Sequence, residues 1–429
     1  MLVRNATVAT LDPPRVEAAS LRVEGDTIVE RGPSLRPGTG EEVLDLDGAL
    51  VLPGLVNAHT HLYSALARGM PGPAEPSRSF VEILERVWWR LDRALDEESV
   101  YVSGLVGAIE AARSGTTLLF DHHASPSFIR GSLATLRRAV EEVGLRSVLC
   151  YETTDRNGPD GRDAGIAENL DFLGSGPTSL TLGMVGAHAS FTLSEESLEH
   201  LSAAVRESGS SLHVHAAEDA ADVEDSRRRC GTGVVERLAR HGLLFPRTLL
   251  VHGVHLSEPD LRDAQAAGAW LVHCPRSNMN NGVGHAPTQA FRRAALGTDG
   301  LDEDMLAEAR AAFLKMRDAG RRDALAAAFG MLVGGHRLAG SFCGLPFGTL
   351  DAGAPADLVV LDYRPPTPLT AENVAGHLLF GLDRSHVRST MVAGRFILRD
   401  RRIAMVDEAS VVARARLTAE PLWSRMQRP

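Results

Sequence analysis

Long hydrophobic runs are missing from this chain: nothing in it approaches the roughly 20 apolar residues that a membrane helix needs, so no membrane partner is expected. Positive charge is short as well. Asp and Glu outnumber Lys and Arg 55 to 45, for a net charge of −10, which argues against a nucleic-acid partner, because phosphate binding needs a basic surface. Cysteine is sparse, and Cys150, Cys230, Cys274 and Cys343 are too scattered for a metal knuckle or a redox pair. Reduced, buried thiols are the plain expectation. The opening residues, Met1-Leu2-Val3-Arg4-Asn5-Ala6-Thr7-Val8, carry no apolar block followed by a cleavage site, so a cytoplasmic location is expected. Lysine is nearly absent. Lys315 stands alone, so no lysine between His61 and His215 is available to be carboxylated as a bridge between two metals, and a single-metal site is favoured.

What is present is a rhythm. With 429 residues, 44% of them apolar, the chain exceeds the length at which one core usually stops growing, so a large domain with a smaller companion is expected. From residue 52 to residue 300, an apolar run, a polar cluster at its end and a longer amphipathic stretch recur. The apolar runs are 52–56, 116–120, 146–151, 180–185, 211–214, 248–251, 269–272 and 294–296, separated by helix-compatible stretches such as 97–113, 131–143, 195–207 and 234–240. Strands alternating with helices imply an α/β fold with a parallel sheet. Eight such units imply a closed (β/α)8 TIM barrel, with its chemistry on the loops after the strands. Most of the 16 histidines fall at or just after these strand ends, whereas His200 and His241 lie in helical stretches.

The two chain ends read as short β segments with turn punctuation, and neither holds enough strands to be stable alone. Residues 1–50 and 350–429 are therefore expected to form one discontinuous β-sandwich domain beside a barrel of residues 51–349. An insert over 77–93 has helical spacing and follows the first barrel strand, which puts it over the barrel mouth. Its Trp88 and Trp89 are expected to be packing residues rather than substrate stackers.

Chemistry concentrates in the string Gly54-Leu55-Val56-Asn57-Ala58-His59-Thr60-His61. Residues two apart on a strand face the same side, so His59 and His61 point their imidazoles together and make half of a Zn site. Alone the pair is weak, since surface or hydrogen-bonded core histidines often produce it. The fifth run continues His213-Val214-His215-Ala216-Ala217-Glu218. Spacing alone does not choose between the two histidines. His215 is nearer both Glu218 and the strand end, so it is the expected ligand, and His213 a deeper core histidine. The eighth run ends Leu296-Gly297-Thr298-Asp299-Gly300. Strands one and eight of a closed barrel are neighbours, so Asp299 would face the histidine pair; its other reading is a helix N-cap. His59, His61, His215 and Asp299 would leave one position open for water, as catalytic zinc requires. In Val251-His252-Gly253-Val254-His255, His252 ends the sixth strand and is placed to hold the attacking water or the developing oxyanion, while His255 belongs to the loop. Asp155, Arg156, Asn157 and Asn278 are candidate substrate contacts, each with a turn or loop-anchoring role as the alternative. Arg156 would grip an anionic group if the substrate carries one.

These strings, with His273-Cys274-Pro275-Arg276-Ser277-Asn278, resemble the amidohydrolase superfamily, and most closely its single-zinc branch of guanine, adenosyl-type and triazine deaminases and chlorohydrolases. Tyr63-Ser64-Ala65-Leu66-Ala67-Arg68-Gly69, Asp121-His122-His123-Ala124-Ser125-Pro126 and Cys150-Tyr151-Glu152-Thr153-Thr154-Asp155-Arg156-Asn157-Gly158 are similar to the SsnA-type aminohydrolases. The resemblance spans essentially the whole chain. It implies His59, His61, His215 and Asp299 as metal ligands, Glu218 as proton shuttle and His252 as the water- or oxyanion-binding histidine. It also implies His188, in Gly186-Ala187-His188-Ala189-Ser190-Phe191, as a substrate histidine on the fourth strand. One divalent cation is implied, Zn2+ first and Fe2+ as the alternative. The implied reaction is deamination of a nitrogen heterocycle, purine-derived by family context. Glu218 favours that outcome, because ammonia must be protonated to leave and chloride needs no proton. Ring opening of a cyclic amide or amidine, or hydrolytic dehalogenation, on the same metal is the nearest alternative. An inactive scaffold on a hydrolase fold is the alternative from another class, disfavoured because no ligand is missing. Oligomeric state stays open, a homodimer being the commonest arrangement. The chain departs from the family in one place: the stretch 286–296 is a few residues shorter than usual, so a truncated seventh helix or a distorted last strand is expected.

Overall fold

A computed structural model describes residues 1–427. The barrel strands are Leu55–His61, Thr116–His123, Arg146–Thr153, Val185–Ala189, Leu212–Ala216, Leu249–His252, Trp270–His273 and Ala294–Leu296, the last resuming as Asp299–Gly300 after a break at Gly297 and Thr298. They pair in parallel in that order. The ring closes where Asp299 pairs with Thr60 and Gly300 with His61. Every residue of the first three strands is buried. That is why they read as apolar runs capped by polar residues rather than as alternating strands: a parallel barrel strand is covered on both faces. Alternation puts Leu118 and Phe120 on the face of His122, and Val148 and Cys150 on that of Glu152. These four belong to one apolar cluster with Val251 and Val272, against which Leu338 and Phe342 of helix Ala324–Cys343 pack. An oily layer thus underlies the polar one.

The helices between strands begin and end on local signals. Asp96 and Ser99 form a capping box at the start of Glu97–Arg113. Ser194 caps Glu195–Ser208, which stops at the left-handed Gly209. Both chain ends enter a second sheet, as expected. It runs Arg402–Ile403, Arg395–Arg399, Val387–Val392, Leu358–Leu361, Leu50–Pro53, Leu2–Leu11, Pro14–Glu24, Thr27–Gly32, with Val43–Asp45 beside Leu2–Leu11. Val3, Leu21, Ile28, Val51, Leu358 and Met391, drawn from both ends, share its core.

Three details differ from, or sharpen, the sequence reading. The apolar stretch 50–56 is two strands, because Leu50–Pro53 pairs with Leu358–Leu361 in the end sheet. Gly54 is the joint, and a Cβ there would lie 2.1 Å from Thr117 Cγ2. The run 180–185 also divides: Thr181–Gly183 only flanks the third strand, and Val185–Ala189 is the barrel strand, so His188 sits within the strand rather than after it. The helix after the seventh strand is short, Pro275–Asn280, and the turn Thr288–Ala290 follows it. The C-terminal helix Glu408–Met426 leaves the end sheet and binds the barrel, where Trp423 Nε1 donates to Leu66 O at 2.9 Å and Arg425 Nε to Ala94 O at 2.6 Å. Among the described residues, no helix is long and apolar enough to cross a membrane.

Gly297 marks the break in the last strand. A Cβ there would lie 2.7 Å from His59 Cβ and 2.9 Å from its backbone N and O. Gly297→Ala is therefore expected to cost about 1–3 kcal/mol by overpacking, read as a lower Tm in thermal unfolding.

Candidate active site

The barrel rim brings the strand-end side chains to one point. His59 Nε2 lies 3.3 Å from Asp299 Oδ1 and 3.3 Å from His215 Nε2, and His61 Nε2 lies 3.0 Å from the same Asp299 oxygen. Donor atoms of His59, His215, His252 and Asp299 all lie within 4.8 Å of one another. The second nitrogens fix what the first ones offer. His61 Nδ1 stands 2.6 Å from the His122 carbonyl oxygen and donates to it, so a neutral ring presents a bare Nε2 to a carboxylate. His59 Nδ1 lies 2.9 Å from His213 Nε2; donating there, His59 also turns a bare Nε2 inward. Acceptors facing acceptors in a buried site need a cation between them, and neutral imidazoles with a carboxylate are the donor set that zinc takes.

The electrostatics agree for His59 and His215, while His61 is drawn the other way by its carboxylate neighbours. Burial pushes His59 and His215 well below the ordinary imidazole range, as neutral ligands require. Burial also opposes charge on His61, but Asp299 and Glu152 outweigh it and raise that ring to about 9. The same negative field would hold a metal ion. The residues present therefore fit one divalent cation.

The positions of these groups are enforced at some expense. Ala217, His252 and Asp299 have φ of 51°, 70° and 60°, a left-handed conformation that costs non-glycine residues about 1–3 kcal/mol and gathers at functional sites. Ser277 Oγ donates a short hydrogen bond to Asp299 Oδ2. Beneath, Glu303 accepts from Thr60 Oγ1 at 2.7 Å and Asn57 Nδ2 at 2.6 Å, and Asn57 also donates to Thr298 Oγ1 at 2.7 Å. That network pins the closing seam that sets Asp299 against the histidine pair.

Glu218 flanks the cluster. Its Oε2 lies 3.4 Å from His252 Nε2, and Asn281 Nδ2 donates to its Oε1 at 3.3 Å. Burial pushes its carboxyl up to about 7, against the pull of His252 and with the charge of Asp299 adding to the rise. His252 Nδ1 is in turn held at 2.9 Å by Asn278 Oδ1. Asn278→Ala is expected to release that ring and lower kcat about 10-fold, the lower end of what loss of such a supporting group costs; a KM left nearly unchanged in steady-state kinetics would mark the effect as positioning.

A cavity of about 330 Å3 opens from the cluster. His61, His188, His215, Glu218, His252 and Asp299 line it, so those expected site residues share one space, with His59 buried behind them. His188 Nδ1 bonds Thr192 Oγ1 at 2.7 Å, leaving Nε2 for the cavity side. Trp88 and Trp89, expected as packing residues, line the wall that the insert provides, with Phe80 and Leu84. Arg156 and Asn278 do not reach the cavity, contrary to the expectation of substrate contact. Asn278 is 2% exposed and supports His252. Arg156 is tied to Glu152 at 2.6 Å and to Asp92 at 3.2 Å. Glu152, Asp92, Ser277 and Asn281 are the site members that sequence reasoning passed over. Glu152 had a visible signal, since it follows an apolar run just as the histidines do; Asp92, Ser277 and Asn281 had none.

A sequence model of the Amidohydrolase family matches residues 50–397. The chain is 30% identical over 442 residues to a protein of Desulforudis audaxviator named 5-methylthioadenosine/S-adenosylhomocysteine deaminase, spanning 98% of this chain and 99% of that protein. Among solved structures, an adenosine deaminase from Xanthomonas campestris with bound zinc superposes at a TM-score of 0.85 and 24% identity, over 99% of this chain and 98% of that one. An atrazine chlorohydrolase from Arthrobacter aurescens complexed with zinc gives 0.83 at 20% identity, over 97% and 99%. The two structures share the fold while their names record different reactions. Because the family match takes in the whole barrel and all the strand-end residues described above, the chain belongs to the amidohydrolase family.

Proposed function

We propose that this chain is a metal-dependent hydrolase that deaminates a nitrogen heterocycle, with aminopurine derivatives as the favoured substrate class and Zn2+ held by His59, His61, His215 and Asp299. The observation that carries the reading is Glu218: a largely buried carboxyl that faces the cavity 3.4 Å from His252 Nε2 and next to the ligand cluster, and that burial pushes up to about 7. Such a group can hold a proton at neutral pH and give it up within the cavity. When bound, the metal supplies a Lewis acid that lets water act as a nucleophile near neutral pH. Asp299 and His252 accept and orient the proton that the attacking water gives up. Glu218 gives its proton to the ring nitrogen beside the reacting carbon, takes the water's first proton from His252, 3.4 Å away, and passes it to the amino group, and is reprotonated as the new hydroxyl becomes a carbonyl. The carbon–nitrogen bond breaks, a carbon–oxygen bond replaces it, and ammonia leaves. Within this reading the barrel, 51–349, is the catalytic domain, and 1–50 with 350–429 its companion; the pairing of Leu50–Pro53 with Leu358–Leu361 supports a companion drawn from both chain ends but carries its first part on to Pro53.

Ammonia release from a panel of aminopurine nucleosides, aminopterins and aminotriazines tests the reaction class. Turnover of at least one aminopurine with stoichiometric ammonia is the expected result. The fold shared with a chlorohydrolase gives the alternatives their standing, and halide release or a ring-opened product without ammonia would replace deamination by one of them.

A further inference from the structure

We propose that Tyr63 is a substrate-binding residue whose hydroxyl donates a hydrogen bond to a ring nitrogen of the bound heterocycle, so that the cavity favours rings with a second imine-type nitrogen besides the one that Glu218 serves. The proposal rests on the deaminase reading above and deepens it. Tyr63 stands two residues after His61, on the turn Leu62–Ala67 that follows the first barrel strand. It lines the cavity and is 5% exposed. Two imidazoles fix its ring edge to face, that of His61 at 5.4 Å between centres and that of His123 at 5.9 Å. His123 is itself held, its Nε2 2.9 Å from Ser125 Oγ. A phenol gripped this way beside a metal ligand borders the ring of a substrate that reacts at the ligand cluster, not a remote substituent.

Tyr63, Ser64, Ser277 and Thr298 bring hydroxyls to the cavity wall, and the last three are spent. Ser64 Oγ donates to His61 O at 2.7 Å and accepts from Leu301 N at 2.9 Å. Ser277 Oγ donates to Asp299. Thr298 Oγ1 accepts from Asn57 Nδ2 at 2.7 Å and donates to Asp299 O at 3.3 Å. The amide of Asn281 is used as well, by Glu218 and Ser277, each at 3.3 Å. Tyr101 and Tyr363 direct their hydroxyls to Glu142 and His377. The hydroxyl of Tyr63 has no hydrogen-bond partner among the described residues, and it is not sealed in the protein as the unpaired oxygens of Asp92 and Asp121 are, so it opens on the cavity. A buried tyrosine hydroxyl ordinarily finds a partner, and one left alone keeps its desolvation penalty. Phenylalanine would fill the same gap between the two imidazoles without that cost. A phenol holds its proton at neutral pH and donates, and an acceptor that arrives with the substrate removes the penalty. With the ring nitrogen beside the reacting carbon served by Glu218, an aminopurine nucleoside offers N3 and N7.

Adenosine, 3-deazaadenosine and 7-deazaadenosine, offered to the zinc-loaded full chain and to its Tyr63→Phe variant, test the contact. The variant is expected to lower kcat/KM for adenosine by about 10-fold, the worth of one neutral hydrogen bond. For the deaza analogue that lacks the acceptor, the two proteins should agree within about two-fold; an analogue that binds without reacting is read by thermal shift. The same loss on all three compounds, the mark of a distorted wall, would overturn the proposal. So would a change of under about two-fold on adenosine, the mark of an idle hydroxyl. The ligand-free variant should bind its zinc and melt no lower than wild type, because the hydroxyl it loses is unpaired before substrate arrives. A Tm lower by several degrees would give that hydroxyl a partner within the protein and overturn the contact. Thermal shifts that depend on Tyr63 in the expected pattern, without ammonia release, would keep the contact and overturn the deaminase reading. Ammonia release from adenosine that does not depend on Tyr63 would do the reverse.

Discussion

Glu218→Gln is expected to lower kcat by about 1,000-fold or more, within the range that loss of a general acid–base group produces, while metal content stays at the wild-type level. The two halves of that result come from separate features of the site. Glu218 reaches the cavity and His252, at 3.4 Å, but does not belong to the group of donor atoms that His59, His215, His252 and Asp299 bring together. Gln keeps the size of the side chain and can keep a hydrogen bond with Asn281, so the cavity wall survives. What it loses is a carboxyl that burial has set near neutral pH, and with it the means to protonate a poor leaving group. Steady-state ammonia release beside metal analysis of the same preparation reads both halves. Activity within a few-fold of wild type would remove Glu218 from proton transfer.

Asp299→Ala should be as damaging by another route. The expected result is a protein that folds, purifies with its metal largely absent, and shows no turnover above background. Asp299 Oδ1 is the one carboxylate oxygen that both His59 and His61 face, at 3.3 and 3.0 Å. Its removal leaves buried imidazoles with no negative partner to hold a cation among them, and the metal-site free energy that depends on the full ligand set falls with it. The variant keeps the strained backbone, since Asp299 has φ 60° and Ala tolerates that conformation less well than Asp. A small loss of Tm in the metal-free state is therefore consistent with the reading. Retention of one metal per chain in the variant would contradict it.

Much of this site was legible in the sequence, and the reason is geometric. A parallel barrel strand buried on both faces writes itself as an apolar run, and the place where it emerges at the rim writes itself as a sudden cluster of polar residues. His59, His61, His215, His252 and Asp299 all stand at such transitions, so the period of the strand and the closure of the ring bring them together before any coordinate is known. The insert over the mouth was legible for the same reason, from its helical spacing after the first strand. Arg156 and Asn278 misled because a polar residue in a loop near the rim looks the same whether it faces the cavity or backs a residue that does. Only packing shows that Asn278 Oδ1 is aimed at His252 and that Arg156 is closed off by two carboxylates. Trp88 and Trp89 pack against the core as expected and line the cavity as well, since amphipathic spacing reports that a helix has an apolar face but not all that the face borders. The division of 50–56 between two sheets has no sequence signal beyond Gly54, and its necessity appears only when Thr117 is seen 2.1 Å from the missing Cβ.

The most direct test is X-ray absorption at the zinc edge of the purified, fully active chain. One zinc per chain in a shell of nitrogen and oxygen at about 2.0–2.2 Å, with imidazole scattering from three rings and no sulfur, is the expected spectrum. Sulfur at about 2.3 Å, or a metal–metal vector from a second ion, would show that His59, His61, His215 and Asp299 do not form the centre on which the chemistry depends.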